Sequence, residues 1–145
     1  MNELKPVPSR SDIDALQMAM ADLEQFEDFE TLHHFAGGMY CREMRVPAGC
    51  TVVGKIHKTE HLFMVIAGEV TIACDGFRER VKAPFIAVSK PGMKRALVMH
   101  EDSVCVNVHE VGTCRDLDEI ERLLIEDEPI SLFDARNQLK RRALR

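Results

Sequence analysis

Two histidines and a carboxylate lie close together in the middle of the chain, at His57, Glu60 and His61. Neutral imidazole is the commonest protein ligand for divalent metals, and three or four such groups are enough for a site. The apolar runs on either side, at 51–53 and 62–66, favour a strand–turn–strand arrangement over a helix. The cluster therefore predicts a metal site at a turn, and the alternative is a pair of hydrogen-bonding histidines there.

A third imidazole is available on the last predicted strand. Cys105, Asn107 and His109 share one face of it, since successive strand residues point to opposite faces. If that face lines the interior, His109 joins the two histidines of the turn in a set with open positions for water or substrate. Glu60 is then a fourth ligand or orients an imidazole from outside. Such a set predicts a divalent metal ion, whether zinc, iron, nickel or manganese. The alternative is that His109 is a histidine whose hydrogen bonds are satisfied in the core or at the rim.

Four further polar side chains form a candidate ligand-binding set: Tyr40, Arg42, Lys55 and Arg95. As a rim they would recognise a carboxylate or phosphate, and arginine suits bidentate contacts of that kind. Ordinary ion pairs with Glu43, Glu60 or Glu79 are the alternative. The sequence has no glycine-rich phosphate loop, serine elbow or recognisable Cys–His spacing. No catalytic residue is therefore assigned, and whether the protein is an enzyme is left open.

The pattern around these residues is that of short β-strands. About eight runs are separated by turn signals, among them the hairpin signal Asp75-Gly76 and the dipeptide Pro91-Gly92. The runs are 40–46, 51–56, 62–66, 69–74, 77–81, 85–88, 95–99 and 104–109. That many closely spaced strands predict a sandwich or barrel of antiparallel sheets.

Helices are predicted at both ends. A helix over 11–25 begins with Ser11 as N-cap and Asp14 three residues later. A second starts after Asp116, where Glu119 completes a capping box, and runs to about residue 126. Residues 132–144 permit a further helix that carries a basic tail. That tail is a solvated surface, the site of an anionic partner, or a contact with the acidic helices of a second subunit.

Two stretches resemble the sequence motifs of the cupin superfamily. Proteins of that superfamily are small β-barrels of the jelly-roll type. The first motif is matched by Gly54, His57, His61 and Gly68. His61 stands where the family usually has its glutamate, and Lys55 takes the place of the first histidine. The second motif resembles Pro91-Gly92-Met93-Lys94-Arg95, in which Arg95 occupies the place of a histidine. Two of four usual ligand places thus keep an imidazole and two carry a cation, which predicts a shifted metal site or a pocket for an anion.

The wider resemblance covers residues 31–125 and is to small cupins of phages and prophages, which have no settled activity. It implies a mainly β chain with a single antiparallel β-barrel, an N-terminal helix and C-terminal helices. The implied divisions are a lead-in and helix at 1–30, the barrel at 31–112 and a helical extension at 113–145. A homodimer is also implied, since dimers are typical of the superfamily. The predicted function is a divalent-metal cupin with an unassigned small-molecule role. The alternatives are a non-catalytic anion-binding module and a phage or prophage accessory or structural protein.

The composition is typical of one soluble globular domain, with 145 residues, 46% hydrophobic and 30% charged. A net charge of −5 argues against nucleic acid as a partner. No apolar run approaches the ~20 residues that a membrane helix needs, and no leader of basic and then apolar residues is seen. Five cysteines without CxxC spacing predict reduced thiols, and the expected location is the cytoplasm of a bacterium or of a phage-infected host.

Overall fold

Two antiparallel β-sheets face each other in the structure, a computed structural model that describes residues 7–26 and 29–140. Their strands are β1 (Glu30–Ala36), β2 (Met39–Val46), β3 (Thr51–Val53), β4 (His61–Ala67), β5 (Glu69–Cys74), β6 (Phe77–Lys82), β7 (Phe85–Ser89), β8 (Ala96–Met99) and β9 (Ser103–Glu110). Helix α1 (Arg10–Ala21) precedes them and helix α2 (Leu117–Leu124) follows them. The larger sheet has the order β1-β2-β9-β4-β7 and the smaller one β3-β8-β5-β6. The predicted mainly β jelly roll is confirmed, although over the described residues neither sheet closes into a barrel.

The core lies between the sheets and is built by the alternation of their strands. β5 alternates half-buried and buried residues along its length, with Val70 and Ile72 facing inward. Val65 of β4 and Met99 of β8 belong to the same cluster and are almost wholly buried. Because full burial of a side chain of this size contributes about 1.5–3 kcal/mol, this layer fixes how the two sheets face each other.

Strand β1 is not predicted by the sequence pattern. It contains His33 and His34, and it pairs with β2 alone at the edge of the larger sheet. Its residues are half-buried or exposed throughout. An edge strand of this kind lacks the apolar alternation that marks an inner strand, which is why the pattern misses it.

The predicted N-terminal helix is confirmed as α1, which begins at Arg10 and ends at Ala21, four residues before the predicted end. The predicted N-cap, Ser11, is wrong. The N-cap is Ser9, whose Oγ accepts the Asp12 N–H at 3.2 Å while the Asp12 carboxylate accepts the Ser9 N–H at 2.8 Å. The same Ser-x-x-Asp spacing occurs at 9–12 and at 11–14. The chain uses the first of the two, which satisfies the backbone donors one half-turn earlier.

Helix α2 begins where the sequence predicts. Asp116 Oδ1 accepts the Glu119 N–H at 3.0 Å, and the helix ends at Leu124. Its buried side packs Ile120 and Leu124 against Tyr40 of β2. The helix is thereby fixed beside the larger sheet. No helix in the described part of the chain is long and apolar enough to span a membrane.

The predicted helix over 132–144 is wrong for residues 132–140, which form a turn at 135–137 between the two bridge partners Phe133 and Leu139. Asp134 Oδ1 accepts the backbone N–H groups of both Arg136 and Gln138 at 2.9 Å, and Asn137 between them has φ 56°. An aspartate side chain that takes backbone donors in this way competes with helix formation. The rest of the predicted tail, residues 141–145, lies outside the described residues.

Candidate metal centre

Two of the three predicted metal-ligating histidines lie on neighbouring strands of the larger sheet. His61 is the first residue of β4, and His109 lies near the end of β9. The two strands are antiparallel, and Leu62 pairs with Val108. His61 and His109 flank that pair on the same side, so the sheet register brings them together.

His57 reaches the same place from the loop between β3 and β4. It forms an isolated β-bridge with Ile125, just after α2. The next residue, Lys58, donates its backbone N–H to Leu124 O at 2.7 Å. The loop is therefore held by the end of α2, and its position depends on that helix as well as on the sheet.

The three imidazoles form a compact, buried group. One nitrogen from each of His57, His61 and His109 lies within 4.8 Å of the others. Ring centroids are 4.2 Å apart for His57 and His61, 4.3 Å for His61 and His109, and 4.8 Å for His57 and His109. The residues are 7%, 6% and 2% exposed, respectively. Nitrogens that bind one zinc ion tetrahedrally, with bonds of about 2.0–2.1 Å, lie about 3.4 Å apart. Nitrogens spaced by up to 4.8 Å must therefore move closer together for one ion to reach all three.

Two of these imidazoles have a buried nitrogen that is not satisfied by any described residue. His57 Nε2 and His109 Nδ1 have no hydrogen-bond partner among residues 7–26 and 29–140. Burial lowers the pKa of His57 to about 2 and that of His109 to about 3. Both rings are therefore neutral at physiological pH, which is the form that ligates metal. A buried nitrogen without a partner costs about 1–3 kcal/mol, and a metal ion would remove that cost.

His61 is held more firmly than the other two. Its Nδ1 lies 3.2 Å from Thr59 O and its Nε2 lies 3.1 Å from Asn107 Oδ1. Burial lowers the pKa of His61, and a neutral imidazole has a single N–H, which can donate to one of these oxygens but not both. The other nitrogen keeps the lone pair that a metal ion would need.

Glu60 is not brought together with the histidines. Its side chain is exposed, and the group of converging ligands consists of imidazoles. The three remaining histidines are engaged elsewhere. His33 Nδ1 lies 2.6 Å from the Tyr40 hydroxyl, His34 Nε2 lies 3.2 Å from Glu43 Oε1, and His100 Nε2 lies 2.6 Å from Thr71 Oγ1. His100 is half-buried.

A cavity of about 180 Å³ lies beside the triad and includes His57 in its wall. Its apolar lining comes from both sheets, from α1 and from residues 130–133. Its polar lining includes three side chains of the predicted ligand-binding set and the amide that contacts His61: Arg42, Lys55, Arg95 and Asn107. Concave, mostly apolar sites with a few convergent polar groups are the usual places for small-molecule binding.

Tyr40 does not form part of a rim. It is 0% exposed, stacks on Phe35 with ring centroids 5.1 Å apart, and accepts a hydrogen bond from Arg42 Nε at 3.0 Å. Burial raises the pKa of its hydroxyl. Tyr40 therefore acts as a packing residue that orients the Arg42 guanidinium.

Lys55 is turned toward α2 by a residue that the sequence analysis did not single out. Lys55 Nζ contacts Glu121 Oε1 at 2.5 Å and donates to Asp134 O at 2.8 Å. The other oxygen of Glu121 lies 3.8 Å from Arg42 Nη2. Lys55 and Arg42 therefore do form ion pairs, which was the alternative to a ligand-binding role. Their partner is Glu121 and not Glu43, Glu60 or Glu79. Glu121 carries no local signal of this role, since it is one of several acids on an amphipathic helix.

Arg95 is the remaining cation of the set. It hydrogen bonds to Ser89 Oγ, lies 3.5 Å from Asn107 Oδ1, and places its guanidinium carbon 4.1 Å from the centroid of the Phe63 ring. Burial lowers its pKa to about 10. Arg95 therefore remains protonated at neutral pH and carries its charge against the cavity wall.

Comparison of the fold with solved structures finds cupin-superfamily proteins among its neighbours. A cupin superfamily protein from Desulfitobacterium hafniense aligns with TM-score 0.50 and 12% identity, over 76% of this chain and 99% of that one. KdgF from Halomonas sp. aligns with TM-score 0.50 and 12% identity, over 60% of this chain and 84% of that one. The chain has the cupin fold. A salicylate 1,2-dioxygenase from Pseudoaminobacter salicylatoxidans, solved as adducts with gentisate, aligns with TM-score 0.55 and 11% identity, over 81% of this chain and 35% of that one.

At these identities the likeness establishes the cupin fold and carries no activity with it. No family model and no curated protein sequence matches the chain. The resemblance to phage and prophage cupins stays a prediction. What this cupin-fold chain does must therefore be argued from its own side chains.

Proposed function

We propose that this cupin-fold protein binds a divalent metal ion through His57, His61 and His109 and uses it on a small molecule held in the adjacent cavity. The observation that carries the proposal is the pair of buried, unpartnered nitrogens of His57 and His109 in a three-imidazole group. Unpaired polar atoms at such depth are rare in proteins and call for a partner. Zinc, iron, nickel and manganese all accept imidazole nitrogen, so the donor set fits the ion without selecting one.

The chain's own residues divide the work of such a site. A bound ion would supply Lewis-acid polarisation of a ligand oxygen. Asn107 contacts His61 and so fixes the orientation of that ring. The end of α2 holds the loop that carries His57. The apolar part of the cavity wall, which includes Phe63 and Leu97, would contact the body of a ligand beside His57.

Metal content measured by mass spectrometry on tag-free protein tests the proposal. The wild type is expected to carry near-stoichiometric metal after incubation with zinc, iron, nickel or manganese, and the His57→Ala/His61→Ala variant is expected to carry none. A His34→Ala/His100→Ala variant is the matched control, since it removes two imidazoles outside the group. Circular dichroism of all three proteins separates loss of metal from loss of fold.

Two results would overturn the proposal. One is the absence of metal in correctly folded wild type with every ion tested. The other is equal metal content in the wild type and in the triad variant. In either case the anion-binding module becomes the better explanation of the cavity, because its cations do not depend on a metal.

A second copy of the chain is proposed as a partner. Leu62 and Ile66 of β4 and Ile86 and Val88 of β7 are all exposed on two paired strands of the larger sheet. Contiguous apolar surface of this kind supports association. Light scattering during gel filtration is expected to report a dimer, and Ile86→Glu is expected to shift it to a monomer. A monomeric wild type would contradict this proposal.

A further inference from the structure

Arg95 presents a charge at the cavity wall that the described residues do not neutralise. In the described ranges, 7–26 and 29–140, no carboxylate lies within ion-pair distance of its guanidinium. Its contacts are a serine hydroxyl, a thioether, an amide oxygen and an aromatic face. These satisfy some of its five donors and leave the charge itself unpaired.

The thiols nearest to Arg95 do not balance it either. Cys105 lines the same cavity, and burial raises the pKa of its thiol to about 12. Burial also raises the pKa of Cys74. Both cysteines are therefore neutral thiols at physiological pH and contribute no negative charge.

The whole cavity carries an excess of positive charge. Arg42, Lys55 and Arg95 line it, and Glu121 is the acid that forms ion pairs with the first two. Arg95 is half-buried, and a charge that is partly withdrawn from water loses hydration that a partner of opposite charge restores. The geometry thus calls for an anion inside the cavity.

We propose that Arg95 is the docking point for the carboxylate of a small organic acid, whose second polar group reaches toward the histidine triad. The planar guanidinium fork matches a carboxylate in two parallel hydrogen bonds. The apolar walls, which include Phe63 and Leu97, suit the hydrocarbon body of such an acid better than they suit a phosphate dianion.

The distance between the two ends of this ligand is short. Asn107 Oδ1 lies 3.1 Å from His61 Nε2 and 3.5 Å from Arg95 Nη2, so one amide oxygen separates the triad from the guanidinium. The ligand class is therefore an acid with a second oxygen a few bonds from its carboxylate. The role given to that second oxygen rests on the proposed metal centre, whereas the carboxylate contact at Arg95 does not.

Calorimetric titration with matched pairs of probes tests the inference. The probes are acetate, pyruvate and benzoate, each compared with its neutral amide. At least one carboxylate is expected to bind ten times or more tightly than its amide, in metal-free protein as well as in metal-loaded protein. Arg95→Met is expected to abolish that preference, and Arg95→Lys to retain the charge but bind several-fold more weakly.

An exposed arginine supplies the control. Arg80 pairs with Glu69 on the outside of the smaller sheet, and Arg80→Met is expected to leave the preference unchanged. Thermal unfolding of Arg95→Met shows whether the variant folds, and removal of an unpaired, half-buried charge is expected to leave its midpoint equal to the wild type or above it.

The outcomes separate this inference from the metal proposal. If carboxylates and amides bind equally, if none of the carboxylates binds, or if Arg95→Met keeps the preference, the inference is wrong even when the triad binds metal. If the preference depends on Arg95 but no metal binds, the carboxylate site stands and the metal proposal fails. Tighter binding of inorganic phosphate than of any carboxylate would also overturn the assignment of the ligand class.

Discussion

Metal-free protein is expected to lose about 4 kcal/mol of its free energy of unfolding between pH 8 and pH 5. Two buried histidines dominate this change. Burial lowers the pKa of His57 to about 2 and of His109 to about 3, whereas an unfolded histidine titrates near its ordinary pKa of 6.5. Below pH 6.5 the two histidines therefore become protonated in the unfolded chain but stay neutral in the folded chain.

The sign follows from which state takes up protons. Both folded pKa values are depressed, so the stability that depends on neutral rings is complete above the unfolded pKa and falls as the pH drops below it. At pH 5 each unfolded imidazole is almost wholly protonated and each folded one is neutral, which gives about 2 kcal/mol for each histidine. This magnitude depends on the unfolded pKa, since both folded values lie well below pH 5.

Carboxylates contribute little in the same window. The lowered pKa values of Asp14 and Glu43 act as the pH falls through the range of an unfolded acid, near 4. Total stability of a small domain is about 5–15 kcal/mol. A loss of about 4 kcal/mol from the histidines is therefore a large fraction and easy to measure.

Urea unfolding of chelator-treated protein at pH 8, 6.5 and 5 is the assay. The His57→Gln/His109→Gln variant is the comparison, and it is expected to keep less than half of the pH dependence of the wild type. A wild-type stability that is flat from pH 8 to pH 5 would refute the reasoning about buried neutral imidazoles. So would a variant whose pH dependence equals that of the wild type.

Three further outcomes test the surroundings of the site. Gly68→Ala is expected to lower the free energy of unfolding in urea by more than ~2 kcal/mol, because φ is +88° and the new Cβ would lie 2.6 Å from a backbone oxygen. Gly76 has φ +76° but open space around it, so Gly76→Ala should lower that free energy by only about 1 kcal/mol. Equal losses in the two variants would contradict the steric argument. Lys94→Met is expected to lower the free energy of unfolding by about 2–4 kcal/mol in the same assay. The Lys94 side chain is 1% exposed and lies 2.8 Å from Glu128, so its removal leaves that carboxylate without this partner. A variant as stable as the wild type would show that this pair contributes little. Glu121→Gln removes the acid that pairs with two cavity cations and is expected to tighten benzoate binding several-fold by calorimetry, whereas weaker binding would argue against an electropositive cavity.

Much of the fold follows from local patterns in the sequence. The Asp75-Gly76 turn joins β5 and β6 as predicted, and the alternation along β9 puts Cys105 and His109 inside. Such features depend on residues that are near each other in the chain. The C-terminal segment escapes prediction because Asp134 takes two backbone donors for itself, a local competition that helix propensity does not reveal.

The candidate site is predictable to a smaller extent. The sequence indicates which residues are able to bind metal and, for His109, which face of the strand it lies on. It does not indicate that β4 and β9 are neighbours, although that pairing is what brings His61 beside His109. Long-range pairing of this kind is decided by the packing of whole sheets and leaves no signal in the spacing of residues.

The two cations at the expected ligand places illustrate the same limit, since the sequence treats Lys55 and Arg95 alike and the structure does not. Glu121 lies far away in the chain and reaches Lys55 only because α2 packs beside β2, so this lysine is neutralised and becomes a link between the sheet and the helix. Arg95 has no such acid among the described residues and rests on Phe63 with its charge unpaired. A cation at a place where the cupin motif predicts an imidazole therefore has two different consequences in one cavity: Lys55 links the sheet to α2, and Arg95 keeps the unpaired charge that the proposed anionic ligand would complete.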